Sequence, residues 1–127
     1  MKLLDNLWVE ECTEEYREAL NNYPEYSRSF RLIYQGISVG SLDVEYITET
    51  HIELINLHIA PSYRHEGFGS FMMNHLPALF PNLEKVSLLS LHSAVNFYKR
   101  LGYTIYQKDG KDIRMEKLFR TSDLCLA

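Results

Sequence analysis

The residues with the most suggestive chemistry are consecutive: Tyr63, Arg64, His65, Glu66, Gly67, Phe68, Gly69 and Ser70. An apolar run, residues 52–60, leads into them, and a segment with helical spacing, residues 70–80, follows. The order strand, basic glycine-rich turn, helix suits an anion of the pyrophosphate kind. Two glycines let the backbone approach such a group closely. The N–H groups that open a helix have no intrahelical partners and carry partial positive charge. Arg64 adds a full charge at the rim of the turn.

The elements that must position this turn can be read from periodicity. Residues 2–9 suit a short strand. Residues 13–20 read as a helix, with Thr13 as cap, Glu14 and Glu15 in the first turn, and Tyr16, Ala19 and Leu20 on one face. Residues 30–34 and 37–47 alternate as strands around a Gln35-Gly36 turn, and Thr48-Glu49-Thr50 turns the chain again. Short connections make these an antiparallel meander with residues 52–59. Leu54, Ile55, Leu57 and Ile59 are nearly continuous, the pattern of a central strand buried on both faces. Pro77 should kink or shorten the following helix. A strand over 85–89, a helix over 93–101 capped by Ser93 and stopped by Gly102, and a hairpin of 104–107 with 113–118 around Asp109-Gly110 complete the chain. Residues 120–127 read as a loose tail. The fold class is α+β with a mixed sheet, in which an antiparallel part precedes a strand–helix–strand unit.

The 127 residues suit one domain with a real core. A net charge of −4 argues against a nucleic-acid-binding surface. A local basic turn on an acidic chain suits a small anionic ligand better. Cys12 and Cys125 have no metal-ligand spacing, which argues against a zinc site and a disulfide scaffold, and free thiols suit a cytoplasmic protein. No apolar run reaches the ~18 residues of a membrane span, so no membrane partner is expected. The turn does not end in Gly-Lys-Ser/Thr, which argues against a nucleotide-binding loop.

Arg64, Gly67 and Gly69 follow the pattern Arg or Gln, two residues, Gly, one residue, Gly or Ala. Ala94, Phe97, Tyr98, Gly102 and Tyr103 follow a second pattern, Ala-x-x-Phe-Tyr-x-x-x-Gly-aromatic. With the strand order, these blocks resemble the GNAT N-acetyltransferase superfamily over roughly residues 30–118. The resemblance implies a mostly antiparallel mixed sheet of six to seven strands flanked by helices, with a splayed strand pair forming a cleft for CoA. It implies a single acetyltransferase domain over residues 1–119, with acetyl-CoA as acyl donor, no metal, and an amine acceptor. Homodimers are common in the family and are among the expectations. The backbone of Arg64, His65, Glu66, Gly67, Phe68, Gly69 and Ser70 would cradle the pyrophosphate. The main chain of Leu57, His58 and Ile59 would bind the pantetheine arm, with Asn96 and Tyr98 as further contacts. A bulge in that strand would flip side-chain parity past Leu57.

The implied reaction needs a base, an acid and an oxyanion donor. Glu53, eleven residues before Arg64, stands where many family members carry a glutamate; burial in an apolar strand would raise its pKa. Glu45 on the neighbouring strand is a rival. Tyr98 would protonate the CoA thiolate or simply bind the sulfur. Backbone N–H near Ile59 would serve the oxyanion. His58 reads as a core histidine, or else a ligating or titrating group; His65 lies inside the anion turn and reads as solvent-facing; His92, just before the second helix, reads as a group near the acceptor site. Tyr23, Tyr26 and Tyr34 would line an acceptor cleft or pack.

The chain departs from the family pattern at Leu91, where many members carry an asparagine, and in its short segment between the first two strands. These departures keep a second reading open: a non-catalytic acyl-CoA-binding sensor or interaction module. The first reading is an N-acetyltransferase acting on a small molecule, polyamine or peptide amine by direct attack.

Overall fold

The computed structural model describes residues 6–12 and 27–119. Strands β2 (Ser27–Tyr34), β3 (Ile37–Tyr46) and β4 (His51–Ile59) form the expected three-stranded meander, and β1 (Leu7–Glu11) pairs antiparallel with β2. A one-turn 3-10 segment, Pro61–Tyr63, leads to α1 (Phe68–Asn74) and α2 (Leu76–Leu79). Then come β5 (Lys85–Ser90), a 3-10 turn His92–Ala94, α3 (Val95–Arg100), β6 (Thr104–Asp109) and β7 (Asp112–Leu118). The seven strands make one mixed sheet in the order β1-β2-β3-β4-β5-β7-β6. Among the described strands only β4 and β5 run parallel, the pairing that a strand–helix–strand crossover requires. The helix and loop expected over 13–26 and the tail over 120–127 lie outside the described residues.

Helix boundaries follow local chemistry. Gly67 adopts φ +86° and precedes α1, so the helix opens at Phe68 rather than Ser70. The expected kink is a break at His75, and Pro77 lies in the first turn of α2, where its missing N–H costs no helix bond. Ser93 does not cap α3. Gly102, at φ +96°, ends it as expected.

The core lies between the helices and one face of the sheet. Phe30, Leu32, Leu42, Val44, Ile52, Val86, Leu88 and Met115 meet Phe68, Met72 and Leu76 of the helices. Burying each large apolar side chain contributes roughly 1.5–3 kcal/mol. At one end of the sheet Arg28 holds Glu11 through two hydrogen bonds of 2.9 and 2.7 Å, and its guanidinium lies over Phe80 at 4.7 Å.

The two-sided burial expected for β4 does not occur. Ile52 and Leu54 are buried, but His51 and Glu53 are half-buried and Ile55 is 51% exposed. The apolar run has another cause. β3 pairs Val44 with Leu54 but Asp43 with Asn56, so Ile55 is an extra residue. This bulge shifts parity. Ile52 and Leu54 share the core face with Leu57 and Ile59, while Glu53, Asn56 and His58 share the other.

Candidate active site

Strands β4 and β5 stay paired only from His51↔Lys85 to Leu54↔Leu88. Beyond Leu54, β4 runs on to Ile59, while β5 continues against β7 as far as Ser90↔Ile113. The two strands therefore part just after the bulge, and a groove of about 560 Å³ opens there. Leu57, His58 and Ile59 form one wall; Ser93, Ala94, Phe97, Tyr98 and Arg100 form the other. Tyr63, Arg64, His65, Gly67, Phe68, Gly69 and Ser70 close its end.

The β4 wall is a main-chain edge. Ala60 donates its N–H to Val39 O at 2.8 Å. Antiparallel ladders alternate, so His58 and Ala60 direct their polar groups to β3, and Leu57 and Ile59 direct theirs into the groove. Among the described residues no strand lies opposite this edge. Ile59 O instead accepts from Nε of Arg64 at 2.8 Å, tying the end of the strand to the turn.

The turn has the backbone of an anion cradle. His65 stands at φ +65° and Gly67 at φ +86°, and left-handed residues within a turn gather successive N–H groups into a concavity. Tyr34, Tyr63 and Phe68 support it from beneath; the Tyr34 and Phe68 ring centroids are 5.1 Å apart, and those of Tyr34 and Tyr63 6.3 Å. Tyr34 is thus a packing residue of the turn. Gly69 faces Phe97 so closely that a Cβ would meet its Cζ at 3.2 Å. Among the described residues the ionisable lining groups are Arg64, Arg100, His58, His65, Tyr63 and Tyr98, with no carboxylate among them. On a chain of net charge −4 this is a local reversal that suits an anion.

Tyr98 is half-buried, with its ring 5.8 Å from that of Tyr103. Burial pushes its phenol above the ordinary value, so it holds its proton through the neutral range. Glu53 lies outside the groove wall, one register step before the strands part, and faces away from the core. It is half-buried among polar groups rather than enclosed by apolar ones. Ser87 Oγ donates to its Oε1 at 3.3 Å, and Nε2 of His51 lies 2.8 Å from the same Oγ. Glu45 is its register partner on β3.

Several expected residues sit elsewhere. Glu66 and Asn96 are exposed and do not form part of the groove wall. Asn96 follows from helix geometry: Ser93, Ala94, Phe97, Tyr98 and Arg100 span the groove-facing side, and Asn96, turned by about 100° from Phe97 on the side away from Tyr98, falls outside it. His58 is exposed on the polar face, so it is not a core histidine. His92 is exposed in the 3-10 turn, and Leu91 is 75% exposed. Tyr23 and Tyr26 lie outside the described residues. Arg100, His51 and Ser87 were not anticipated. Arg100 was legible as the residue three after Phe97 on one helix face; Ser87 needed the β4–β5 register.

Residues 26–105 match the family described as Acetyltransferase (GNAT) domain. Three solved structures illustrate the shared fold. One is a GNAT family acetyltransferase from Elizabethkingia anophelis with acetyl-CoA bound: TM-score 0.74, 12% identity, 91% of this chain and 99% of that one. The second is the ribosomal-protein-S18-alanine N-acetyltransferase from Escherichia coli: 0.72, 15% identity, 88% and 93%. The third is the PaiA N-acetyltransferase from Thermoplasma acidophilum in complex with coenzyme A: 0.69, 19% identity, 82% of this chain and 66% of that one. No curated protein matches the chain. The family match over more than half the chain, on a seven-stranded sheet with the same overall fold, shows that the protein belongs to the GNAT acetyltransferase family.

Proposed function

We propose that this protein transfers an acetyl group from acetyl-CoA to a primary amine of a small molecule, polyamine or peptide. The observation that carries the reading is the groove at the β4–β5 parting. It joins a strand-like main-chain edge at Leu57 and Ile59 to a turn whose groove-lining side chains, among the described residues, include no carboxylate. The donor's chemical parts fit it in order. Backbone N–H groups of residues 64–70, with Arg64 and Arg100 beside them, would hold a pyrophosphate. Leu57 and Ile59 would pair with the amides of the pantetheine arm as an added strand pairs. Gly69, without a side chain, lets the turn approach the Phe97 ring closely at the groove wall.

Bound acetyl-CoA supplies an activated thioester. The chain's residues supply proton handling. Glu53, at the point where the strands part, takes a proton from the amine, directly or through one water. Tyr98, which keeps its proton at neutral pH, donates to the departing sulfur. The N–H of Ile59, on the free edge of β4, faces the region where negative charge develops on oxygen.

The test is calorimetric titration with acetyl-CoA followed by an amine panel scored for free CoA. Binding with turnover of at least one amine is the expected result, with Glu53→Gln slowing turnover and changing its pH profile. Tight binding without turnover across the panel would replace this reading with an acyl-CoA sensor.

A further inference from the structure

Acetylation of an ammonium group removes two protons from nitrogen. One remains with the thiol product, so one must reach solvent in each cycle. If Glu53 accepts that proton, it needs an outlet before the next cycle. From the contacts around it we infer that Ser87 and His51 form that outlet, a proton relay from Glu53 to bulk water. The inference rests on the proposed transferase reading and extends it to two residues that act through Glu53.

The relay is built into the sheet. His51 and Glu53 are two residues apart on β4 and share its polar face. Parallel pairing sets Glu53 opposite Ser87. Ser87 is only 3% exposed between the buried Val86 and Leu88, and a hydroxyl buried there needs partners. Its partners are Glu53 Oε1 at 3.3 Å and His51 Nε2 at 2.8 Å. A hydroxyl both accepts and donates, so it can carry a proton between a carboxyl and a ring nitrogen without bearing charge. His51 is half-buried at the start of the strand, where its ring reaches the surface.

The step balances as follows. Protonated Glu53 gives its proton to Ser87 Oγ while Ser87 gives its own proton to Nε2 of His51. The imidazolium then loses its Nδ1 proton to water, and rotation of the hydroxyl and ring restores the starting state. Other charged groups frame the relay: Glu45 opposite Glu53 on β3, Lys85 opposite His51 on β5, and Glu116 opposite Ser87 on β7. Lys85 and Glu116 pair with each other at 3.4 Å. Burial and the nearby Lys85 lower the pKa of His51, so its ring is neutral near pH 7 and returns a proton to water readily.

The experiment compares Ser87→Ala and His51→Ala with wild type in CoA release, with acetyl-CoA affinity from calorimetry and melting temperature as controls. Expected are kcat values roughly tenfold lower in both variants, unchanged acetyl-CoA affinity, and recovery of His51→Ala by added imidazole, which a structural role would not give. Ser87→Ala turning over at the wild-type rate, or His51→Ala failing to respond to imidazole, overturns the relay alone. A wild type that releases no CoA with any amine overturns the transferase reading and the relay together.

Discussion

Arg64 and Ile59 are joined by a 2.8 Å hydrogen bond from the guanidinium Nε to the strand's last carbonyl. The bond gives Arg64 two tasks: it fixes the turn to the end of β4, and it holds the remaining guanidinium nitrogens beside the anion cradle. A lysine has the charge but no rigid fork to do both. Arg64→Lys should therefore weaken acetyl-CoA binding nearly as much as Arg64→Ala, by roughly 10- to 100-fold. Calorimetry on both variants checks this. A lysine variant close to wild type would reduce Arg64 to a point charge.

The two glycines of the turn should fail in different ways. Gly67 has open space where a Cβ would sit but stands at φ +86°. Gly67→Ala should cost about 1–2 kcal/mol of stability through backbone strain, with Gly67→Asn costing less. Gly69 has no such strain, but its Cβ would press on Phe97 Cζ at 3.2 Å and narrow the groove. Gly69→Ala should fold normally and lose acetyl-CoA affinity. Urea denaturation and ligand titration on the same pair of variants separate the two effects.

This division shows what is readable from sequence. Arg64, Gly67 and Gly69 are local signals, since spacing and residue type set a turn whatever surrounds it. The meander was legible because short connections leave few alternatives. The faces of β4 were not legible. A run such as Leu54-Ile55-Asn56-Leu57 fits two-sided burial and a bulge equally well, and only the pairing of Asp43 with Asn56 decides between them. The polar setting of Glu53 was hidden for the same reason: its neighbours Ser87 and His51 meet it through register, which a linear sequence does not display. Asn96 falls outside the groove by helical phase, while Phe97 and Arg100 on the adjoining face line it.

Tyr98 carries a prediction about pH. Its folded pKa is raised by burial above the ordinary value of 10.0. The native state therefore keeps a proton that the unfolded chain loses, so this group's contribution to stability is present below pH 10 and declines as pH rises through the folded value. The same shift keeps the phenol a donor across the working range. Tyr98→Phe should lower kcat by roughly 100-fold with acetyl-CoA affinity little changed, and should remove part of the alkaline loss of stability. Steady-state kinetics and pH-dependent denaturation measure both. Collapsed affinity with normal residual chemistry would make Tyr98 a binding residue.

Ile55 tests whether the groove depends on a residue count rather than on a side chain. Ile55 is 51% exposed, so Ile55→Ser should leave stability within about 0.5 kcal/mol of wild type. Deleting Ile55 should act differently, because it restores simple alternation through β4. Leu57 and Ile59 would keep the core face and Asn56 and His58 the polar face, so the urea midpoint should change little. Without the extra residue β4 loses the local bend of the bulge and can pair with β5 past Leu88. The deletion should therefore close the groove and abolish acetyl-CoA binding while the fold persists. A deletion variant that still bound acetyl-CoA would show that the strands part without the bulge.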